Sequence, residues 1–336
     1  MKKILFIGTG GTIASELTGW SLSPALSAKQ LLSYIPQVCD FCSVDEIQLF
    51  TLDSTNVTPG HWQQIASEIQ KNYDKYDGFV IAHGTDTLAY TACALSYLIQ
   101  NSTKPIVITG AQKPIGFDTT DSKQNLIDSF ICASSSLSGI LVVFGGSVLI
   151  ANRAKKVRSK SFEAFSSPNY PPVASVLNNS LKVYYRPVAE NTIFYEKLDP
   201  NVCIIKLTPG MNEKFFKYAV DNHKAVVIEA FGVGGLPGYG SFKETVFKAA
   251  ERGKIIVMTT QVQREGTDLS VYEVGYSLEK YRILESFDMT SEACVTKLMW
   301  ILTQTEDLNK VSRLFYTPIF YDIIPSKEIE TGYIDK

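Results

Sequence analysis

Near its N-terminus the chain reads ILFIGTGGT over residues 4–12. The apolar half of this stretch, Ile4–Ile7, shows no polar alternation, which is typical of a strand buried on both faces of a parallel sheet. Glycine and threonine follow, so we expect the strand to end at Gly8 and to open into a loop that other groups can approach closely. In open α/β sheets ligands bind beyond the carboxyl ends of strands, so this loop is the first candidate site.

Short apolar runs and helix-like patterns alternate along the rest of the chain. Further strands are predicted at 47–52, 79–82, 106–109, 140–144, 202–207, 225–230 and 255–259, and helices at 29–35, 58–73, 87–100, 121–136, 212–222, 242–252 and 291–303. Helices between buried strands imply parallel crossovers. We therefore predict an α/β protein with a larger N-terminal, open, mostly parallel Rossmann-like sheet, helices on both of its faces, and a smaller C-terminal α/β domain.

Proline residues weaken the alternating pattern between residues 166 and 200, where five of them occur. A prior of about 150 residues per domain also predicts two domains for a chain of this length. We therefore place an N-terminal domain at 1–190, a linker at 191–210 and a C-terminal α/β domain at 211–336.

The composition argues against several classes of protein. The formal net charge is −2 and no long run of one sign occurs, so a nucleic-acid partner is not expected. No stretch reaches the ~20 apolar residues of a membrane-spanning helix, and Ile4–Ile7 is too short for a signal peptide, so we expect no membrane partner and a cytoplasmic location. Cys39 and Cys42 form a lone C-x-x-C, and the six cysteines are interpreted as reduced packing residues. Neither a metal nor another cofactor is predicted.

The glycine-rich loop does not match a nucleotide-binding motif. G-x-G-x-x-G would require glycine at position 13, where Ile13 stands, and neither G-x-x-x-x-G-K-[ST] nor the G-x-S-x-G elbow of serine hydrolases is present. The loop does offer the hydroxyl of Thr12, a weak nucleophile that needs activation. Histidine is scarce in this sequence, so a lysine kept neutral by its surroundings is an alternative base.

Four consecutive strands of the predicted N-terminal sheet end in small, hydroxylic or acidic residues. The strand ends are followed by Thr12, by Asp53-Ser54-Thr55, by residues 83–87 and by residues 109–112. Any one of these loops could be an ordinary turn with a helix-capping side chain. Because carboxyl ends of parallel strands share one edge, the four together favour a site.

Two of these loops, residues 9–13 and residues 83–87, resemble the two signature motifs of the bacterial asparaginase/glutaminase family. Further matches are residues 53–54, 152–156, 162–165, 167–169, 288–290, 292–293 and 296–298. The resemblance spans essentially the whole chain, and it is strongest to the cytoplasmic, type I branch. Either motif alone would be only suggestive, whereas the pair is highly specific.

The resemblance implies an amidohydrolase that needs no metal. Thr12 would attack the side-chain amide of L-asparagine and form an acyl-enzyme, and water would then release L-aspartate. Thr85, Asp86 and Lys156 would form a second hydroxyl–carboxylate–lysine group, with Lys155 as the less favoured lysine. Whether Thr12 or the group around Thr85 matters more for a given step stays open at this stage, as does weak activity on L-glutamine.

The resemblance also implies a set of substrate contacts. Asp86 would hold the α-ammonium group of the substrate and Ser54 its α-carboxylate. Backbone N–H groups in the loops 10–12 or 110–112 could stabilise negative charge on the carbonyl oxygen. The full set of expected substrate-binding residues is Gly11, Asp53, Ser54, Thr55, Gly84, Ala111 and Gln112.

The sequence departs from the family pattern in the segment after the first motif. Many relatives have a tyrosine there, whereas residues 14–24 contain Trp20 and no tyrosine. The family resemblance also implies a homodimer or homotetramer in which a neighbouring subunit completes the site. The candidate contribution is the stretch 263–276 with Glu265, Tyr272 and Glu273, which is otherwise interpreted as a surface loop.

Three alternative functions are considered beside this interpretation. The amidase subunit of the archaeal tRNA-dependent amidotransferase shares these motifs, although its extra domain precedes the asparaginase-like core, whereas here the first motif begins within ten residues of Met1. A non-catalytic amino-acid sensor is disfavoured by the joint presence of Thr12, Thr85, Asp86 and Lys156. A nicotinamide-dependent oxidoreductase is disfavoured by the glycine spacing.

Overall fold

A computed structural model describes residues 1–18, 21–271 and 281–324 of the chain. The chain divides into two compact units, Met1–Glu196 and Lys197–Lys336. The boundary lies inside the segment 191–210 that the sequence predicts as a linker. That segment is more than a connection, because it carries strands at Ile193–Phe194 and Val202–Lys206.

The first unit contains the longer set of elements. Its strands are β1 (Lys2–Gly10), β2 (Ser15–Thr18), β3 (Ser21–Pro24), β4 (Cys42–Leu52), β5 (Gly78–Ala82), β6 (Ile99–Gln100), β7 (Pro105–Thr109), β8 (Gly139–Phe144), β9 (Ser147–Ile150), β10 (Lys155–Lys156), β11 (Phe165–Ser166), β12 (Ala174–Leu177), β13 (Ser180–Val183) and β14 (Ile193–Phe194). Its helices are α1 (Ala28–Ser33), α2 (Pro59–Asn72), α3 (Leu88–Leu98) and α4 (Ser122–Ala133).

An eight-stranded sheet forms the centre of the first unit, in the order β13-β12-β9-β8-β7-β5-β1-β4. Strand β1 pairs in parallel with β4 and β5, and the parallel pairing continues through β7 to β8. Residues 4–7 of β1 are fully buried, as their unbroken apolar character predicts. The pairs β8–β9, β9–β12 and β12–β13 are antiparallel.

The helices of the first unit begin where the sequence supplies capping groups. Ser27 and Gln30 form a capping box before α1, and Thr58 and His61 form another before α2, where Pro59 occupies the first turn. Helix α3 is apolar on nearly every side and correspondingly buried. It contacts α2 and β8, and α4 packs on β5, β7 and β8.

Three short pairings in the first unit are absent from the sequence prediction. Strands β2 and β3 form a hairpin directly after the glycine-rich loop, β10 pairs with β11, and β6 pairs with β14. The β10–β11 pair matters for the site because it holds the lysine-bearing stretch 155–156 opposite residues 165–166.

The second unit is a smaller α/β layer structure. Its parallel sheet has the order β15 (Val202–Lys206), β16 (Ala225–Ala230), β17 (Ile255–Thr260) and β18 (Leu284–Glu285). Its helices are α5 (Glu213–Asn222), α6 (Phe242–Glu251), α7 (Ser291–Ile301) and α8 (Leu308–Tyr316). Phe216 and Phe242, with ring centroids 5.0 Å apart, join the buried faces of α5 and α6 to the sheet core. The two units together confirm the predicted fold class.

The six cysteines are all free thiols in the structure. Cys42, Cys93, Cys132 and Cys294 are buried, whereas Cys39 is exposed. Within the described ranges, no cluster of three or more His, Cys, Asp or Glu side chains is arranged to ligate a metal ion. None of the helices in those ranges has both the length and the apolar character needed to cross a bilayer.

Candidate active site

Four neighbouring parallel strands of the first unit deliver polar residues to one edge of the sheet. In spatial order these are β4, β1, β5 and β7, and they are followed by Ser54, Thr12, Thr85 and Gln112. The parallel register places all four loops at the carboxyl edge. Loops that are up to 100 positions apart in sequence thus surround one region.

The loops after β1 and β5 touch through their backbones. Gly11 has φ 78° and ψ 178°, a conformation reserved for glycine, and a Cβ atom on it would lie 2.2 Å from the backbone nitrogen of Gly84. A Cβ atom on Gly84 would lie 2.6 Å from Ser54 Oγ and 3.1 Å from Gly11 Cα. Glycine is therefore required at both positions for Thr12, Ser54 and Thr85 to approach one another.

We expect Gly11→Ala to lower the free energy of unfolding by about 2–4 kcal/mol, because it adds a strained backbone conformation to a collision with the Gly84 backbone. Urea denaturation measures this change. The matched control is Gly60→Ala in α2, where a new Cβ would find its nearest neighbour, Thr58 Oγ1, at 3.7 Å. The control should be neutral or slightly stabilising. Equal stability of the two variants would show that the close approach of the two loops is absent in solution.

A lysine links the two polar residues that follow β5. Lys156 Nζ lies 2.7 Å from Thr85 Oγ1 and 2.7 Å from Asp86 Oδ1. The Thr85 side chain is buried, whereas the Asp86 side chain is 60% exposed and the Lys156 side chain 19% exposed. Lys156 reaches this position from β10. The structure thus brings together Thr85, Asp86 and Lys156, although about 70 positions separate the lysine from the other two in sequence.

Thr12 lies at the start of a single 3₁₀ turn, Thr12–Ala14, directly after the Gly11 contact. Ile13 and Ala14 are buried beneath it, and Ser15 Oγ donates to the Gly11 carbonyl at 3.0 Å, which fixes the turn. Thr12 itself is half-buried. In the part of the chain that the structure describes, its hydroxyl makes no hydrogen bond, so it remains available to a substrate.

In the loop after β4, two polar side chains stabilise the loop itself and a third faces the candidate site. The Asp53 carboxylate accepts hydrogen bonds from Thr55 N at 2.8 Å and Thr55 Oγ1 at 2.7 Å, so these two exposed residues bind each other at the head of a 3₁₀ turn. Ser54 is buried and its hydroxyl faces Gly84. Of the three expected binding residues in this loop, Ser54 is the one whose side chain is shown to face Gly84 of the neighbouring loop.

The loop after β7 contributes Ala111 and Gln112. Ala111 is fully buried, and Gln112 is half-buried beside Thr85. The Gln112 backbone N–H donates to both carboxylate oxygens of Asp121, at 2.9 and 3.1 Å. Burial raises the pKa of Asp121, although these hydrogen bonds oppose the rise. Neither Asp121 nor its partner Asn125, whose Nδ2 donates to the Gly110 carbonyl at 3.0 Å, is among the expected site residues.

His83 is a structural residue in this site. It is fully buried; its Nδ1–H donates to the Gly84 carbonyl at 2.8 Å and its Nε2 accepts from Thr91 Oγ1 at 3.0 Å. The carbonyl can only accept, so the neutral tautomer with the proton on Nδ1 is required. Burial lowers the pKa of His83 to about 4. The imidazole therefore fixes the Gly84 backbone rather than acting as a base near neutral pH.

His83 also makes stability depend on pH. The unfolded chain takes up a proton on this residue near the ordinary histidine pKa of 6.5, whereas the pKa in the folded chain is about 4, so stability falls as pH decreases between these values. His83→Gln should remove about 2 kcal/mol of that loss between pH 6.5 and pH 5. Asp128, whose pKa burial raises to about 6, acts in the opposite direction in both proteins and cancels in the difference. Identical pH dependence of urea midpoints in the two proteins would contradict this role.

Comparison with known proteins matches both units. Residues 3–189 match the family model described as the N-terminal domain of asparaginase, and residues 201–315 match the glutaminase/asparaginase C-terminal domain. The chain belongs to the asparaginase family. The sequence-based resemblance is thereby confirmed, and the site lies within the N-terminal match.

Several relatives of the asparaginase family align over nearly the whole chain. The L-asparaginase of Thermococcus kodakarensis is 38% identical over 327 residues, which cover 96% of this chain and 100% of that protein. L-asparaginase 1 of Escherichia coli K12 is 31% identical over 93% of this chain and 95% of its own length. One subunit of the glutamyl-tRNA(Gln) amidotransferase of Pyrococcus abyssi is 33% identical over 98% of this chain and 79% of its own length.

Solved structures of the family have the same fold. The thermostable L-asparaginase from Thermococcus kodakarensis superposes with a TM-score of 0.90 at 37% identity, covering 96% of this chain and 100% of that one. L-asparaginase I from Vibrio cholerae superposes with a TM-score of 0.86 at 29% identity, covering 96% and 99%. Both matches span the two units.

Some of the sequence-based expectations fall on parts of the chain that the structure does not describe. Trp20, Tyr272 and Glu273 lie outside the described residues. Glu265 is described: it is exposed, has φ 76° and belongs to the second unit. A contribution from residues 263–276 to a neighbouring subunit's site therefore stays a prediction.

Proposed function

We propose that this asparaginase-family protein hydrolyses L-asparagine to L-aspartate and ammonia through an acyl-enzyme on Thr12. The observation that carries the proposal is the position of Lys156 Nζ, 2.7 Å from both Thr85 Oγ1 and Asp86 Oδ1, beside the Gly11–Gly84 contact that brings the Thr12 loop to the same place. A threonine hydroxyl without a hydrogen bond, on a loop that packs against the loop of a lysine–threonine pair, is an arrangement suited to nucleophilic attack on an amide.

In the first half of the reaction, the Thr12 hydroxyl oxygen bonds to the amide carbon while its proton passes to a basic group in the site. The carbon–nitrogen bond then breaks, and the leaving nitrogen takes up a proton and departs as ammonia. The amine of Lys156, which lies within hydrogen-bonding distance of Thr85, would accept that proton and return it to the leaving nitrogen. In the second half, water attacks the ester and aspartate leaves.

The polar groups at the carboxyl edge of the sheet suit a small zwitterion. Asp86 keeps most of its carboxylate exposed even with Lys156 bound to one oxygen, so it can also hold an α-ammonium group. Ser54 supplies a buried hydroxyl for the α-carboxylate on the other side of Gly84. Two opposite charges held at a fixed separation would select an α-amino acid and place its side-chain amide near Thr12.

The backbone donors to the carbonyl oxygen can be narrowed by elimination. The Gly11 N–H donates to the Leu52 carbonyl at 2.8 Å, and the Gln112 N–H donates to Asp121. Neither is free to bind a developing oxyanion. Among the other N–H groups of these loops we propose that of Thr12 for this role, because it belongs to the nucleophile itself and stands at the start of the 3₁₀ turn.

The amidotransferase subunit is the second candidate, since a relative with that name aligns with 98% of this chain at 33% identity. The L-asparaginase relative is more similar, at 38% identity, and aligns along its full length, whereas 79% of the amidotransferase relative is aligned. The same hydroxyl and lysine groups would serve either amide substrate. An experiment must therefore distinguish an L-asparaginase from an amidotransferase subunit.

The test is ammonia release from free amino acids by the purified full chain. Steady release from L-asparagine, without tRNA, is the expected result, and L-glutamine tested over the same concentrations would give the side activity. Release that requires a charged tRNA and a partner protein would support the amidotransferase assignment instead. Binding of asparagine without ammonia release would support a sensor and overturn the proposal.

The remaining expectations form part of the same proposal. We propose a cytoplasmic enzyme that works as a homodimer or homotetramer, with no nucleic acid or membrane as partner. Light scattering at the concentration of the assay would measure the assembly. A monomer with full activity would show that no neighbouring subunit completes the site.

A further inference from the structure

The amide of Gln112 has a fixed orientation. Its Nε2 faces two backbone carbonyls, that of Ser161 at 3.2 Å and that of Arg158 at 3.5 Å. Carbonyl oxygens only accept hydrogen bonds, so the NH₂ group must be on this side and the oxygen on the other. Gln112 Oε1 therefore faces Thr85 Oγ1, at 3.2 Å.

This orientation determines what the Thr85 hydroxyl can do. Lys156 Nζ donates to Thr85 Oγ1 at 2.7 Å, so this contact uses one lone pair of the threonine oxygen. The single proton of Thr85 then goes to Gln112 Oε1, which is its acceptor in the structure. One lone pair of the Thr85 oxygen remains, and it is available to accept a proton from a third group.

We propose that Gln112 is a positioning residue for the reaction: by accepting the proton of Thr85, it leaves the Thr85 oxygen as the hydrogen-bond acceptor for the attacking hydroxyl or water. The inference rests on the proposed function, which supplies the reaction that Thr85 serves. Gln112 acts through Thr85 and contacts no reacting atom itself. This role differs from the substrate-binding role that the sequence alone predicts for it.

The surroundings of Gln112 suit a fixed acceptor. Its backbone N–H is held by two bonds to the buried Asp121 carboxylate, and Asp121 also accepts from Lys113 N at 3.1 Å and Asn125 Nδ2 at 3.2 Å. Three of the four hydrogen-bonding positions of the Gln112 amide are used by protein atoms. A side chain committed in this way has little hydrogen-bonding capacity left for a substrate.

Gln112 also connects the lysine-bearing strand β10 to the carboxyl edge of the sheet. Arg158 and Ser161, whose carbonyls it binds, belong to the turn that connects β10 to β11. That turn is otherwise closed by the bond from Val157 N to the Ala164 carbonyl at 2.8 Å. One glutamine thus contacts both the hydroxyl of Thr85 and the segment that delivers Lys156 to it.

The test is a double-mutant cycle of Gln112→Met with Thr85→Val, both close in shape to the parent residues. Gln112→Met alone should lower kcat on L-asparagine by about 10- to 100-fold and change KM by less than about threefold. In the Thr85→Val background the same substitution should change kcat by less than about twofold, because the proton that Gln112 accepts is no longer there. Single-turnover measurements at high enzyme concentration give the slow rates.

Gln124→Met is the matched control for the loss of a glutamine amide. Gln124 is an exposed residue of α4 whose Nε2 donates to Asp128 Oδ1 at 2.7 Å. The kcat of Gln124→Met should equal that of the parent. Thermal melts of every variant would show whether it is folded.

Three results would overturn the inference while leaving the proposed function intact. The first is a Gln112→Met variant whose kcat on L-asparagine equals that of an active parent. The second is a variant in which KM rises more than kcat falls, which would make Gln112 a substrate-binding residue. The third is a double-mutant cycle in which the kcat losses of the two substitutions multiply. Gln112 would then act independently of Thr85, and its role would be purely structural. A parent that releases no ammonia from L-asparagine would instead overturn the proposed function together with the inference.

Discussion

Thr12→Val is expected to release ammonia from L-asparagine at least about 10,000-fold more slowly than the parent, because it removes the only atom that can form the ester. Valine keeps the shape of threonine. Thr12 is half-buried and its hydroxyl makes no hydrogen bond within the described residues, so little stability should be lost with the hydroxyl. Substrate should still bind, since Ser54 and Asp86 are untouched.

The matched control for this substitution is Thr51→Val, which makes the same chemical change at an exposed position near the end of β4. Its kcat should equal that of the parent. Ammonia release and isothermal titration with L-asparagine, measured on both variants, separate chemistry from binding. A Thr12→Val enzyme that retained a tenth or more of the parent kcat would remove Thr12 from the role of nucleophile.

Lys156→Met is expected to lower kcat by about 1,000-fold, because it deletes the amine next to Thr85 and with it the route for the proton. It also removes the cation bound to Asp86, so the binding of the α-ammonium group should change less than kcat does. The Asp86 side chain is 60% exposed and stays hydrated without its partner. The melting temperature should therefore change little.

The neighbouring lysine offers a close control. Lys155 precedes Lys156 in β10, is also half-buried, and points to the other side of the strand. Lys155→Met should keep kcat within about threefold of the parent. If Lys155→Met proved to be the inactive variant, the lysine assigned from the sequence would be the wrong one of the two.

The parts of the fold that are recognisable from sequence are those with a simple pattern. Ile4–Ile7 and Phe79–Ala82 are unbroken apolar runs, and both are buried central strands. Strands β12 and β13 carry no such pattern, because β13 is an edge strand of the sheet, β12 is next to it, and many of their residues are exposed or half-buried. Their hairpin turn uses Asn178 and Asn179 with positive φ, which is a recognisable signal that the proline-rich surroundings obscured.

The candidate site likewise contains residues that can be predicted from the sequence and residues that cannot. The motifs containing Thr12, Thr85 and Asp86 follow strand ends, so topology brings them together. Lys156 could be chosen only through the family resemblance, since its position depends on the short β10–β11 pair. The network that joins Asp121 and Asn125 to the Gln112 backbone was missed because its members are ordinary polar residues until their distances are known.

The substrate-binding roles of Asp53 and Thr55 stay predictions, and the structure adds a local role for both side chains. Both stand beside Ser54 in sequence, yet their side chains bind each other and cap a 3₁₀ turn. An aspartate followed two residues later by a hydroxyl residue is a common local cap. Adjacent residues in a loop point in different directions, so a motif identifies the loop more reliably than it identifies each side chain.

The most direct measurement is to locate the covalent intermediate. Enzyme mixed with L-asparagine and quenched in acid during the first turnover would be digested with trypsin and analysed by mass spectrometry. We expect one aspartyl group on the peptide 4–29, which contains Thr12, and none on that peptide in Thr12→Val. An aspartyl group on the peptide beginning at Tyr76, which contains Thr85, would contradict Thr12 as the nucleophile, and so would a first turnover that releases ammonia before aspartate with no adduct on either peptide.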